Sequence, residues 1–338
     1  MSEILTTTKG VPFVRTPESA FDDLEDFAYA SDYVTFEGLR LHYIDVGPVD
    51  GPVALLMHGM PTWSYLNRHI IAELAAEGWR CIAADHIGFG RSDKVTDAGW
   101  YSITRHVAAH RALIDALDLE DVTLFCQDWG GPIGLAQAAE TPERFSRLVV
   151  MNTWLHHPGY QYTEALRRWN GQWQPDGVFG VNIPSRLSLG WFMMLPLGHM
   201  TARDLFAIIE NEDYPDLSPE AAAIRHAYDA PFEGLEADAY AGVRRFPLSL
   251  PFDNPLGGAA EAQAAWFKTL SGWKKPIHFI WGATDAVFTE EWGRQWAKLY
   301  RQATFDLLPD AGHFLQDSHG TQIAGIFLRR LADESARP

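Results

Sequence analysis

The stretch "VTLFCQDWGGPIGLAQAAETPERF", Val122 to Phe145, begins as a β-branched and aromatic run and ends as an amphipathic helix. Gln127, Asp128, Trp129, Gly130 and Gly131 make the turn between them. A strand apolar on both faces is a buried one, as in parallel sheets. The turn after such a strand lies at the carboxyl edge of the sheet, where open α/β folds place their sites. A strained turn that exposes a nucleophile needs small residues two positions before and two after it. Cys126 and Gly130 stand there around Asp128, and Gly131 eases the packing behind. The slot usually filled by Ser holds Asp. Asp before a helix is also an ordinary N-cap, so this stretch alone leaves both readings open.

Working outward, strands and helices alternate on either side. "LRLHYIDVG" (Leu39 to Gly47) alternates like a hairpin strand, while "VALLMHG" and "RCIAAD" are continuous apolar strands. Helical patterns, "LNRHIIAELAAEG" and "TRHVAAHRALIDALDL", separate them, and "RLVVMN" (Arg147 to Asn152) follows the elbow helix. This predicts a mostly parallel sheet flanked by helices. From about residue 155 the alternation stops, and a segment rich in Trp, Pro, Phe and Tyr shows helical pieces such as "TEALRRWNGQW" and "SPEAAAIRHAYDA". The alternation resumes with "PIHFIWG", "EEWGRQWAKLY", "ATFDLLP" and "TQIAGIFLRRLADES". The expected organisation is one α/β core, residues 1–154 and 257–338, interrupted by a helical insertion, residues 155–256.

Two further residues favour the catalytic reading of Asp128. "LPDAGHFLQD" places His313 in a loop after one strand, and "FIWGATDAVF" places Asp285 just beyond the end of another. The chain order nucleophile, acid, histidine is that of the α/β-hydrolase triad. A carboxylate needs no base to activate it, and it attacks carbon when a good leaving group departs. His313, oriented by Asp285, would then activate the water that hydrolyses the resulting ester. The backbone N–H groups of Trp129 and of Met60, in "HGMPTW", are the expected oxyanion donors. Gly59 gives the backbone access to that site, and His58 is read as shaping the loop.

Composition bounds the partners. A formal charge of -17 argues against nucleic acid and anionic membranes. Two separate cysteines, Cys81 and Cys126, make no disulfide framework, which favours a reducing compartment. The N-terminus lacks a secretory pattern, and the most apolar segment, Leu187 to Met200, is too short to span a bilayer. A cytoplasmic protein acting on small apolar molecules is expected, with a monomer plausible.

"HGMPTWSYLNR", "DHIGFGRSDK", "QDWGGPIGL", "RLVVMN", "YAGVRRFP" and "DAGHF" resemble, in order and spacing, the haloalkane dehalogenases. The resemblance runs from Val14 to the last helix and is weakest in the insertion. It implies an α/β-hydrolase fold under a helical cap, no metal and no cofactor, a halogenated substrate, water and a released halide. It makes Asp128 the nucleophile, His313 the base, Asp285 the acid and Trp129 one halide donor. Some branches supply the second donor from an Asn in the slot held here by Met60, whose thioether cannot donate; others use a cap tryptophan. Another branch places a catalytic Glu where Asn152 stands, so Asp285 keeps that role. Trp191 is the expected cap donor, with Trp169 and Trp173, four apart on one helical face, as the other candidates. Phe246 and Pro247, in "YAGVRRFP", are expected to face the substrate. The alternative activity is an epoxide hydrolase, with Tyr160, Tyr162, Tyr214, Tyr228 or Tyr240 as cap acids. A haloacid substrate would want an Arg where Trp129 stands, and a non-catalytic binding module would not need the triad.

Overall fold

The fold grows from the buried run Val122–Asp128. Every residue of that strand is buried, as is every residue of Val53–Met57 beside it. Strands of this kind persist only with helices on both faces. The computed structural model describes residues 3–252 and 257–336. Its main sheet has eight strands: β1 (Asp32–Phe36), β2 (Leu39–Val46), β3 (Val53–Met57), β4 (Arg80–Ala84), β5 (Val122–Asp128), β6 (Phe145–Thr153), β7 (Ile277–Gly282) and β8 (Thr304–Leu308). The spatial order is β8-β7-β6-β5-β3-β4-β2-β1. β1 pairs antiparallel with β2, and β2 antiparallel with β4. Every other pairing is parallel, as the apolar strands predicted.

Helices α1 (Arg68–Ala76) and α12 (Leu315–Ser335) pack on each other, while α2 (Ile103–Ala116) and α10 (Ala260–Leu270) pack on α3 (Gly130–Glu140), the elbow helix. From Gly130 to Ala139 every residue of α3 is buried. Chain order then places the ends of β5, β7 and β8 at one edge of the sheet, since all three strands run the same way.

Between β6 and β7 the described residues contain no strand. They form α4 (Glu164–Gln172), α5 (Val178–Asn182), α6 (Leu189–Met194), α7 (Ala202–Asn211), α8 (Pro219–Asp229) and α9 (Ala241–Leu248) before α10 returns to the core. Ser or Thr caps several of them, with Thr163 accepting from Leu166 N–H and Ser218 from Ala221 N–H. The predicted far boundary of the insertion, at residue 256, lies outside the described residues. A small sheet built from Leu5–Thr6, Pro12–Val14 and Lys94–Val95 was not anticipated. Strands of two or three residues leave no periodic signal. Among the described residues no helix is long and apolar enough to cross a membrane.

Candidate active site

The elbow depends on its glycines. Asp128 has φ of 50°, a left-handed conformation that costs any residue other than glycine. Close packing holds it there. A Cβ on Gly130 would lie 2.3 Å from the carbonyl oxygen of Met57, and one on Gly131 would lie 1.8 Å from Thr153 Oγ1. Thr153 Oγ1 donates to the carbonyl of Asp128 at 2.5 Å. The pairing of β5 with β6 slips at this point, from Gln127 opposite Met151 to Asp128 opposite Thr153. The skipped residue, Asn152, has φ of 27° and bulges toward β7.

That bulge serves the carboxylate of Asp285. Asn152 Nδ2 donates to Asp285 Oδ2 at 2.8 Å, and Asn152 Oδ1 accepts from Gly282 N–H at 2.7 Å. The N–H groups of Val287 and Phe288 donate to Asp285 Oδ1 at 2.7 and 3.1 Å. So held, Asp285 Oδ2 lies 2.8 Å from His313 Nδ1, while His313 Nε2 lies 3.4 Å from Asp128 Oδ2. The three residues that the sequence set far apart meet at the strand ends. Gln127 ties the histidine backbone down, its Nε2 donating to the His313 carbonyl at 2.9 Å.

Burial works against a charged His313, whose ring is flanked by Phe314 at 4.7 Å and Phe288 at 5.6 Å. The charge of Asp285 and the hydrogen bonds to Asp128 and Asp285 outweigh it and push the pKa up to about 10. The carboxylate of Asp128 is held from the other side by Met60 N–H, which donates to Oδ1 at 2.8 Å. No bond from Trp129 N–H to that carboxylate forms in this arrangement. Gly59 explains the close approach, since a Cβ there would sit 2.3 Å from Asp128 Oδ1.

Asp128 and His313 open onto a cavity of about 260 Å³ lined also by Met60, Trp129, Trp169, Phe179, Phe192, Leu195, Pro196, Val287 and Phe314. Apart from those two polar groups the walls are apolar. The indole N–H groups of Trp129 and Trp169 have no hydrogen-bond partner among the described residues, so they are the free donors of this space. A larger cleft of about 560 Å³ lies elsewhere, between α1, α8 and α12, lined by Arg68, His69, His199 and Asp317 among others. It contains none of the triad, so size is no guide here. Among the described residues no cluster of three or more His, Cys, Asp or Glu is arranged to hold a metal ion.

Three expectations are corrected. Trp191 does not reach the cavity: it packs against Tyr214 at 5.1 Å with Arg225 over its ring. Its neighbour Phe192 faces the cavity instead, because consecutive residues on a helix point about 100° apart. Trp169 takes the place assigned to Trp191, and Trp173 is buried beneath it with ring centroids 5.6 Å apart. Phe246 backs the wall rather than lining it, packed against Trp129 at 5.1 Å and stacked on His106 at 4.7 Å. Pro247 is buried behind α4, its carbonyl accepting from Asn170 Nδ2 at 2.8 Å. Of the lining residues that went unread, Val287 and Phe314 sit within two positions of Asp285 and His313, a signal that was available. Phe179, Phe192, Leu195 and Pro196 carry no comparable mark.

An elbow with an acid in the nucleophile's slot, a histidine and a second acid in this order and at one sheet edge define an α/β hydrolase. The alpha/beta hydrolase fold family model matches residues 52–320. A haloalkane dehalogenase of Psychrobacter cryohalolentis is 34% identical over 328 residues, 95% of this chain and 98% of that protein. Haloalkane dehalogenase 1 of Mycobacterium bovis is 37% identical over 317 residues, covering 92% and 96%. Among solved structures, the tetrameric haloalkane dehalogenase DpaA of Paraglaciecola agarilytica matches with a TM-score of 0.77 and 31% identity, over 93% of this chain and 97% of that one. The chain belongs to the haloalkane dehalogenase family.

Proposed function

We propose that the protein hydrolyses neutral haloalkanes to the alcohol, halide and a proton, through an alkyl ester on Asp128. The observation that carries this reading is the cavity. One carboxylate opens into apolar walls, with two unpartnered indole N–H groups and no Arg or Lys among the lining residues. In the first step Asp128 Oδ2 attacks the carbon bearing the halogen, the carbon–halogen bond breaks, and the halide leaves toward the N–H groups of Trp129 and Trp169. In the second, His313 takes a proton from water while the oxygen bonds to Asp128 Cγ. The charge that develops on Oδ1 is stabilised by Met60 N–H, with Trp129 N–H as second donor once the site adjusts. As that intermediate collapses, His313 returns its proton to the departing alkoxide, which leaves as the alcohol. It then takes up the proton of the new hydroxyl, restoring the Asp128 carboxylate and the imidazolium.

The charge state of His313 links the two steps. While Asp128 is ionised, it and Asp285 together favour the imidazolium. Esterification cancels the charge on Asp128 and its hydrogen bond to Nε2. Burial then opposes Asp285 alone, and the ring releases its proton and becomes a base. Alkylation thereby switches on the group that hydrolyses its product.

In this reading residues 1–154 and 257–338 form the core and residues 155–256 the cap, and the protein works in the cytoplasm without metal or cofactor. The epoxide hydrolase alternative wants a tyrosine acid over Asp128, and no tyrosine lines the cavity among the described residues. Tyr228 donates instead to Asp317, and Tyr162 is paired with His156. The test is halide release from 1-bromobutane and 1,2-dibromoethane, run beside styrene oxide. Asp128→Asn should abolish turnover. His313→Phe should release one burst of halide and leave the protein heavier by one alkyl group on the peptide containing Asp128. A burst without that adduct would refute the assignment.

A further inference from the structure

His58 opens the loop whose Met60 N–H holds Asp128, and it is one of four buried histidines behind that loop. His58, His86 and His110 are fully buried, and His106 nearly so. His86 follows β4, and His106 and His110 lie one turn apart on α2, so three separate segments meet here. The partners fix where the ring protons sit. The carbonyl of His58 can only accept, so His86 Nε2, 2.7 Å away, carries a hydrogen. The backbone N–H of His86 donates to His58 Nε2 at 2.9 Å, so that nitrogen is bare and His58 Nδ1 donates to the Gly59 carbonyl at 2.7 Å. A neutral His86 protonated on Nε2 has a bare Nδ1, so the 2.6 Å contact with His110 is donated by His110 Nε2–H. The chain ends at His110 Nδ1, which is buried and without a partner. Burial pushes the pKa of all four rings down, favouring the neutral forms this pattern needs.

The loop that these rings hold has no slack. Besides the contact of Gly59 with Asp128, a Cβ on Gly130 would lie 2.8 Å from the His58 carbonyl oxygen. A small movement of His58 therefore reaches both the elbow and Met60 N–H.

We propose that His110 and His86 are positioning residues for the reaction: the hydrogen bond from His110 holds the His86 ring in place, so that its Nε2–H bond to the His58 carbonyl keeps the oxyanion loop against Asp128. The proposal rests on the reading of Asp128 as nucleophile. Without the His110 donor, His86 Nδ1 is a buried acceptor with no partner, and the ring is no longer held from that side. As the ring shifts to relieve this, its Nε2–H bond to the His58 carbonyl lengthens, and the loop carries Met60 N–H away from the carboxylate. The effect falls on kcat rather than KM, because Met60 N–H acts on the reacting carboxylate while substrate is bound by the cavity walls.

The experiment compares His110→Phe, which removes the donor, with His110→Gln, whose amide N–H stands near the position of Nε2. For bromide release from 1-bromobutane, His110→Phe is expected to lower kcat by about tenfold to a hundredfold with KM little changed, somewhat less than complete loss of an oxyanion donor. His110→Gln is expected to recover most of that loss. A Phe variant as fast as the parent, or a folded Gln variant as slow as Phe, overturns the proposal. Nitrogen NMR of the histidine rings in the unaltered protein tests the chain without any variant, including where His110→Phe fails to fold. Protonated Nε2 on both His86 and His110 is expected, and a protonated His86 Nδ1 overturns the proposal. If the parent itself releases no halide, the reading of Asp128 fails, while the ring tautomers still decide whether this brace exists.

Discussion

Replacing Trp169 by Phe removes one indole N–H and leaves an aromatic ring in the cap. Trp169 Nε1 has no partner within the described protein, so the substitution breaks no internal hydrogen bond. The ring packs against Trp173, Phe192 and Phe179 at 5.6 to 5.9 Å, contacts that a phenyl group largely keeps. In the proposed reaction, what is lost is one of two donors to the halide. A hydrogen bond to a charged group contributes about 1.5–3 kcal/mol, which is roughly tenfold to a hundredfold in an equilibrium or a rate. Trp129 retains its donor, so binding weakens without vanishing.

The assay is quenching of intrinsic fluorescence by bromide, together with rapid-mixing measurement of alkylation by 1-bromobutane. Trp169→Phe should weaken bromide binding and slow alkylation by similar factors, since the charge on the leaving halide develops in the transition state. Trp191→Phe serves as the control, because Trp191 lies against Tyr214 and Arg225. It should change neither quantity. Parent-like bromide affinity in Trp169→Phe, or its loss in Trp191→Phe, would refute the reasoning.

Two more outcomes follow from packing and titration. Gly131→Ala drives a methyl group into Thr153 Oγ1 and should destabilise the protein by about 1–3 kcal/mol, as overpacking does; adding Thr153→Ala should recover part of the loss in thermal unfolding. Acidification should also destabilise. His106 and His110 are pushed down to about 3 by burial, an effect that Arg105 strengthens at His106 and Asp85 opposes at His110. The unfolded chain therefore binds more protons below its ordinary histidine pKa, and each residue costs about 2 kcal/mol of stability between pH 6.5 and pH 5. His313 runs the other way: its pKa is raised, so its contribution is complete below pH 6.5 and fades as pH rises toward 10. Denaturant titrations at pH 5, 7 and 9 check both signs, and stability that rises toward pH 5 would contradict the buried-histidine argument.

The elbow and the triad were legible because their constraints are local. A strained turn demands small neighbours at fixed offsets, and Cys126, Gly130 and Gly131 supply them beside Asp128. His313 and Asp285 each follow a strand readable from its apolar run. The cap was legible only as helical. Whether Trp169 or Trp191 faces the cavity depends on the rotation of short helices about their axes, and α6 has only six residues. One step along it exchanges Trp191 for Phe192. Phe246 and Pro247 were placed in the right neighbourhood but one layer too far forward, with Trp129 in front of Phe246. The histidine chain left still less trace, since only His106 and His110 are related by helical spacing.

The choice of indoles has a consequence for what the site admits. An Arg or Lys in the cavity would stabilise a departing halide more strongly than an N–H dipole. It would also pair with Asp128 Oδ2 and lower the energy of the attacking carboxylate, slowing the step it was meant to assist. His313 does so only weakly, because its Nε2 stands 3.4 Å from Asp128 Oδ2, long for a charge-assisted bond, while its shorter contact is to Asp285. A substrate carrying its own carboxylate would meet Asp128 with no Arg or Lys in the lining to pair with it. In the proposed reaction neutral, apolar molecules bind there by burial instead, with the reacting carbon brought against Asp128 Oδ2. The cap can therefore vary its apolar lining without disturbing the chemistry, whereas a single new charge in that lining would alter both the nucleophile and the base.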